Sequence, residues 1–591
     1  MRMKNCYNYC QNSGENWQSS IKRNKEELRM NSLVILVLGV LVAFLGYLIY
    51  ARRIDKSVIK ADPNKATPAR MYMDGVDFTP TSRNVLFGYQ FKSIAALGPI
   101  IGAIIAAQWG WLPALLWLFL GTLFIGWVHD YSSAMASMRN EGQSFGGLSY
   151  QLVSPRARSI LLIFIYCYLL LIMGAFGSIV AGQMSNPQTP LGVIVMCLAG
   201  ILAGQMIYKW RRDIILTSVV TVIISFGGIY LATLPFMAKI FTVINGGEVS
   251  RKLFGSVTQA QFIWTIVIMF LCYLGAVMPI WRFAQPVNFV AFWIVALGII
   301  GTALGIIIWH PNFEDFPALT TWSIGIGPLW PILFVTVACG AISGWHSLVS
   351  SSGTSRQLEK ETDALSVTGG AMFAEMILAV IALIIAAAAH HSFANYKAAL
   401  SKGWGNVFSS GMGTFLNKIG IPMSFGTAYA GVFLCVMALT VMWLVLRFMR
   451  VASAEFIGDR VPLMRNVHVG SIVAVIVSVI LIWTGYWQRI WVLFGGSNQL
   501  MASLALMLIT IWLVKLKKAS AWTSIPAIFM YITTIAALIY TSYKAFKDVG
   551  GAELNIAIGN IIAGILAIIL IIAAFILAYD GVHAFLRHRK G

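Results

Sequence analysis

The chain has 591 residues, of which 58% are hydrophobic and only 11% charged, with a mean hydropathy of +0.78. Soluble domains carry about 25% charged residues, so this composition excludes a string of soluble domains and points to an all-α integral membrane protein. The formal net charge of +20 fits either nucleic-acid binding or cytoplasmic loops rich in Lys and Arg; the basic residues stand between apolar runs and form no basic domain, so no nucleic-acid partner is expected.

Residues 1–31 form a polar tail without the pattern of a removable signal peptide. Met30 stands directly before the first apolar run, which raises it as an alternative translation start. About fifteen apolar runs follow, near 32–51, 86–107, 112–136, 159–184, 190–208, 213–234, 260–281, 288–309, 328–350, 367–390, 424–447, 469–486, 490–514, 522–543 and 556–578. Each is long enough to cross roughly 30 Å of hydrocarbon as a helix. The 490–514 run is the least regular, because Gly495, Gly496, Ser497, Asn498 and Gln499 are expected to interrupt it. The two longest links, near 52–85 and 391–423, have room for short amphipathic helices but not for a catalytic domain.

Basic residues follow the odd-numbered runs: Arg52, Arg53 and Lys56 after the first, Arg139 after the third, Lys209 and Arg211 after the fifth, Lys515 and Lys517 after the thirteenth, Arg587 and Lys590 after the last. Links after even-numbered runs are poorer in them. This parity predicts an outside N-terminus and a cytoplasmic C-terminus, although Lys22, Arg23, Lys25 and Arg29 of the tail argue the other way.

Five cysteines (Cys167, Cys197, Cys272, Cys339 and Cys435) lie inside apolar runs and read as small buried residues. There is no CxxC, no GxxxxGK[ST] phosphate loop and no HExxH, so neither a metal nor a cofactor is expected, and no direct use of ATP. Gly142-Gln143-Ser144-Phe145-Gly146 matches GxSxG, but that elbow needs a strand–turn–helix setting; a loop after a membrane run does not offer one. No catalytic cluster appears, and an enzyme is not expected.

Interrupted helices carry more information. In a bilayer, breaks survive only where they are buried or line a cavity. Leu97-Gly98-Pro99 is expected to break the second run, and Gly275 to Pro279 the seventh. Paired broken segments in corresponding positions of inverted halves mark a transporter's binding site; the alternative is simple kinks or glycine faces for close packing. The ninth run, Ala338 to Thr354, is dense in small and hydroxyl residues and carries His346, which can titrate near neutral pH. Ser350 and Ser351 within it suit a cation site or helix–helix adhesion equally. Ionisable groups inside spans are costly and therefore suspect: Lys92 early in the second run, His129 and Asp130 near the inner end of the third, and Glu375 in the tenth. Glu375 is the most embedded acid and could carry a proton or bond a neighbouring helix; His129 and Asp130 could instead anchor a helix end at the interface. Asn498 and Gln499 are expected to cap a re-entrant segment or to contact substrate.

Several stretches resemble the carbon starvation protein A family. They are Asp62-Pro63, Thr67-Pro68-Ala69, Asp74-Gly75-Val76-Asp77-Phe78-Thr79-Pro80-Thr81, Val85 to Phe91 running into Gly98-Pro99 and Ala106-Ala107-Gln108, Ala338 to Thr354, Glu375, and Leu493-Phe494-Gly495 with Asn498-Gln499-Leu500-Met501. Order and spacing are kept from residue 32 to about 514. The resemblance implies a multi-pass secondary transporter of the cytoplasmic membrane, induced in relatives when carbon is scarce and associated with uptake of peptides or, in close relatives, proton-coupled pyruvate. It also implies the five-plus-five inverted-repeat core of the amino acid–polyamine–organocation transporters. The second, seventh and ninth runs would then be core helices one, six and eight, with Ser350, Ser351 and the break at Gly98 as counterparts of a cation site. On this reading residues 1–31 are a tail, 32–515 the transporter region with its core from about 86, and 516–591 further helices and a short basic tail.

The chain departs from the family pattern. It has Tyr89-Gln90 where the family has two histidines, Val287-Asn288 in place of Arg-Asp, and Leu434 and Trp443 in place of a Glu and an Asp. The expectation is an importer of short peptides, or alternatively of pyruvate or a similar carboxylate, coupled to protons or sodium. Substrate is assigned to Tyr89, Gln90, Gly98, Pro99, Gly275, Pro279, His346, Asn498 and Gln499, and ion coupling to Asp130, His346, Ser350, Ser351 and Glu375. A non-transporting membrane nutrient sensor is the competing class.

Overall fold

The computed structural model describes residues 30–74, 78–247, 249–254, 257–279, 282–483, 487–550 and 554–590. The polar tail before Met30 and Gly75-Val76-Asp77 of the resembling motif lie outside the described residues. The apolar runs become helices because each backbone N–H must find a carbonyl in its own segment once water is excluded. In chain order they are α1 (Ser32–Ile59), α2 (Arg83–Ile94), α3 (Gly98–Trp109), α4 (Trp111–Met138), α5 (Pro155–Met184), α6 (Pro190–Lys209), α7 (Ile214–Thr233), α8 (Gln259–Val277) and α9 (Ala284–Trp309). There follow α10 (Ala338–Ala341), α11 (Gly344–Ser352), α12 (Glu361–Ala388), α13 (Trp404–Lys418), α14 (Met423–Ile457), α15 (Val467–Trp483), α16 (Trp487–Lys515), α17 (Ala521–Lys547) and α18 (Leu554–Lys590).

Twelve of these are uninterrupted and apolar enough to cross a membrane, and counting the bent pair α2–α3 gives thirteen. Among the described residues the expectation of about fifteen spans is not confirmed. The second run bends by 47° between α2 and α3. The ninth is cut into short pieces, and the twelfth forms only the 17-residue α15. The link at 391–423 holds Phe393–Ser401 and α13, as its length allowed. α12, α14 and α16 are the most enclosed spans, while α1, α7 and α18 present large apolar faces outward to lipid.

Two expected interruptions are absent. α8 is continuous through Gly275 and ends at Val277, with Pro279 beyond it. Gly275 is a packing surface: a Cβ there would stand 2.5 Å from Cβ of Trp443 on α14. Likewise α16 runs unbroken through Gly495–Gln499. Its glycine faces the ninth segment, where a Cβ on Gly495 would lie 2.2 Å from the carbonyl oxygen of Val335.

The second break falls in the ninth segment instead. Helical backbone is lost at Val337 (φ −85°, ψ 25°) and again at Ile342 and Ser343, both extended (φ −161° and −141°). This segment packs against the bend of the second. Cβ atoms placed on Gly98 and Gly102 would strike Cys339 Sγ at 2.2 Å and the Thr336 carbonyl at 2.6 Å. Sequence numbers rise on one side and fall on the other, so the two broken segments run antiparallel in direct contact.

Candidate functional site

The two breaks meet a buried line of ionisable groups. α4 contains a turn of π-helix at Thr122–Gly126, and its glycines lie against Ala341 of α10. The next turn carries His129 and Asp130. Both are fully buried within the protein. One oxygen of Asp130, Oδ1, meets Nδ1 of His129 at 2.9 Å, and the other, Oδ2, meets Nδ1 of His346 on α11 at 2.9 Å. The far nitrogen of His346, Nε2, stands 3.2 Å from Oε2 of Glu375 on α12. All of these side chains are sealed from solvent.

This geometry fixes some protons and leaves one free to choose. With Asp130 ionised, both imidazoles donate to it through Nδ1–H. His346 Nε2 and Glu375 then face each other without the alignment of a finished hydrogen bond, and neither has another partner. One proton satisfies that gap in two ways, as imidazolium against carboxylate or as imidazole against carboxylic acid. A buried acid–imidazole pair that holds one proton in either form is able to bind and release it as its surroundings change.

The remaining predicted residues surround this line. Gln90 of α2 donates to Ser350 Oγ at 3.1 Å and accepts from Thr354 Oγ1, tying the bent segment to α11. Tyr89 lies beside Gly353. The carbonyl of Ser351 accepts from Ser137 and Ser355, while its own hydroxyl is buried with no partner. Ser350 therefore meets Gln90, whereas Gly98 and Pro99 pack on Cys339 and Gly340. Gly275 packs against Trp443 on α14, and Pro279 lies beyond the end of α8.

Asn498 and Gln499 do cap, but not a re-entrant segment of their own. From the middle of α16, Asn498 Oδ1 accepts from the Trp345 backbone N–H at 3.1 Å, Ser343 Oγ at 3.2 Å and the Tyr168 hydroxyl at 2.6 Å. Its Nδ2 reaches Cys339 Sγ at 3.4 Å, and Gln499 Nε2 donates to the Phe334 carbonyl at 2.7 Å. These amides hold the polar backbone freed by the ninth-segment break. Sequence reasoning missed Tyr168, Ser137 and Thr440, hydroxyl residues with no periodic signature. Ser144 of the GxSxG match caps the helix Phe145–Leu152.

A second polar knot closes the opposite end of this region. Arg139, at the end of α4, grips Glu361 with Nε and Nη2, both at 2.9 Å, and donates to the carbonyls of Ile59 and Lys60 at 3.0 Å. Lys518 donates to the Ile59 carbonyl at 2.8 Å. Burial lowers the pKa of Lys518, helped by nearby Arg139 and Lys60. Elsewhere a cavity of about 310 Å³ opens among Gln183, Gln261, Lys402, Trp404, Asn406 and Trp483. None of the predicted site residues lines it.

A family model for carbon starvation protein CstA matches residues 31–406 and 388–537. The pyruvate/proton symporter BtsT of Escherichia coli (strain K12) is 28% identical, with 86% of this chain and 81% of that protein covered. The peptide transporter CstA of the same strain is 28% identical, covering 88% and 83%. The peptide transporter CstA of Campylobacter jejuni is also 28% identical, covering 86% and 80%. Among solved structures, MhsT in complex with L-phenylalanine aligns at 12% identity and a TM-score of 0.44, covering 84% of this chain and 99% of that one. With the family model spanning most of the sequence and the described helices forming a multi-pass membrane bundle, the chain belongs to the carbon starvation protein CstA family.

Proposed function

We propose that this chain imports a small nutrient across the cytoplasmic membrane by alternating access, with a short peptide as first substrate and pyruvate as the alternative, driven by protons. The relatives' printed names, peptide transporter and pyruvate/proton symporter, support both substrates. The observation that carries proton coupling is the sealed Asp130–His346–Glu375 line. It joins three segments, and one of them, α11, begins at a break. Substrate is placed at the antiparallel breaks, where α3 starts without a side-chain cap and can present N–H groups to an anion. The loop charges support an outside N-terminus and a cytoplasmic C-terminus.

Sodium coupling has one supporting observation, the unpartnered Ser351 hydroxyl, but Ser350 is already engaged by Gln90. The test is uptake of labelled dialanine and labelled pyruvate into proteoliposomes under imposed proton or sodium gradients. Proton-dependent accumulation of either is expected. Failure of both to accumulate under either gradient refutes the reading.

A further inference from the structure

We infer that Lys92 seats the carboxylate of the transported solute, so that a free carboxylate is a requirement for transport. This rests on the transporter reading above and adds the residue and the chemical group that it recognises.

Lys92 is 1% exposed and lies in the last turn of α2, immediately before the bend at Ala95–Leu97. The negative end of a helix favours a cation at this position, so the sequence places an ammonium where half of a broken helix stops. Its Nζ is 2.5 Å from Oγ1 of Thr440 on α14. Thr440 gives its own hydrogen to the carbonyl of Val436 at 2.8 Å, so toward Lys92 it acts as an acceptor. An ammonium has three N–H groups, and this contact uses one.

No carboxylate among the described residues stands within ion-pair distance of Lys92. The buried acids Asp130 and Glu375 are both turned to His346. Two further buried donors are also unmatched: the Ser93 hydroxyl, next in the chain, and the Trp443 indole Nε1. Trp443, three residues beyond Thr440 on α14, packs against Gly275 and the Phe283 ring. The neighbouring backbone acceptor, the Ser93 carbonyl, is already taken by Trp345 Nε1 at 2.7 Å.

Lys92 thus brings three N–H donors to the bend, where among the described side chains Thr440 accepts one of them and no carboxylate supplies a negative charge. A buried charge without a partner is costly, and a neutral solute would leave that cost in place. A carboxylate supplies two oxygens with about four lone-pair sites and the missing negative charge. Pyruvate and the C-terminus of a peptide share this group; amides and esters do not.

The experiment uses the full chain in proteoliposomes, with labelled dialanine and labelled pyruvate as probes. Unlabelled dialanine and pyruvate are expected to compete, and dialanine amide and pyruvamide are expected not to. Lys92→Met is expected to raise KM by about tenfold to a hundredfold with a smaller change in the maximal rate, and Lys92→Arg to recover part of that loss. Equal competition by acid and amide in the unaltered protein overturns the proposal, as does a folded Lys92→Met protein with unchanged KM. If Lys92→Met does not fold, the competition result alone decides. If the unaltered protein transports neither probe, the transporter reading fails, and thermal stabilisation of the detergent-solubilised protein decides the seat separately: a shift with pyruvate or dialanine but not with their amides upholds it, and an equal or absent response overturns it.

Discussion

Replacing Glu375 by Gln removes a titratable group while keeping nearly the same volume. The carboxylate faces His346 Nε2 at 3.2 Å and has no other partner, so few other bonds are lost. Gln cannot form the carboxylic acid–imidazole arrangement in which the shared proton leaves His346. If one proton crosses with each solute, a gradient of one pH unit with the membrane potential clamped can drive about tenfold accumulation, since 1.4 kcal/mol corresponds to a factor of ten. The unaltered protein should approach that ratio in proteoliposomes loaded at the higher pH. Glu375→Gln should bring the ratio down to about one, while exchange of labelled for unlabelled solute persists. Retention of the tenfold ratio would falsify the assignment of Glu375 to coupling. Loss of exchange and accumulation together, with a lowered Tm, would instead assign it a structural role.

Three further outcomes follow from the packing. Asn498→Ala leaves the Tyr168 hydroxyl and the Trp345 N–H without their shared acceptor, and should cost about 1–3 kcal/mol, read as a fall in Tm in detergent. Gly98→Ala puts a Cβ 2.2 Å from Cys339 Sγ and should destabilise by about 1–3 kcal/mol; adding Cys339→Gly should restore part of the Tm, and no restoration would show that the clash is not the cause. Arg139→Ala leaves Glu361, with a side chain only 1% exposed, without its guanidinium and should cost about 3 kcal/mol. Arg139→Lys should fall between, because an ammonium keeps the charge but not the two-pronged grip, and equal Tm values for the two variants would refute that account.

Much of this fold can be read from apolar run length, because a helix across hydrocarbon requires about 20 such residues and little else. All fifteen runs contain helix, and the three that fail as full spans fail for local reasons: a Gly-Pro bend, a segment rich in small residues, and a short helix. Candidate site residues were legible wherever an ionisable group entered an apolar run, as at Asp130, His346 and Glu375. Their convergence was not, since Asp130 and His346 are 216 positions apart and no local pattern records a contact of that range. Glycine was the least legible residue. At Gly98 it accompanies a true bend, while at Gly275 and Gly495 it admits Trp443 and the Val335 carbonyl against an intact helix. The same one-residue signal serves opposite ends, and only the neighbouring helix distinguishes them. Asn498 shows a related limit: its amide caps a helix, but one begun about 150 residues earlier in the chain.

The position of His346 gives the breaks and the buried acids a common physical logic. It lies on α11, just beyond the extended residues Ile342 and Ser343, while Asp130 and Glu375 belong to the uninterrupted α4 and α12. Any rotation of α11 about that break must draw the imidazole away from at least one acid. With a proton in the Nε2–Glu375 gap, both contacts are attractive and α11 is held between its neighbours. Without it, the lone pair of Nε2 faces a carboxylate, and only the Asp130 bond remains. If α11 moves in the proposed transport cycle, proton binding and that movement are linked through one side chain, which is what coupling requires of a ligand with different affinity for two conformations. On this reasoning His346→Gln, which can bond one acid but cannot become a cation, should uncouple transport as Glu375→Gln does, and the double variant should be no worse than either single one. An additive loss of the accumulation ratio would show that the two residues act on separate steps.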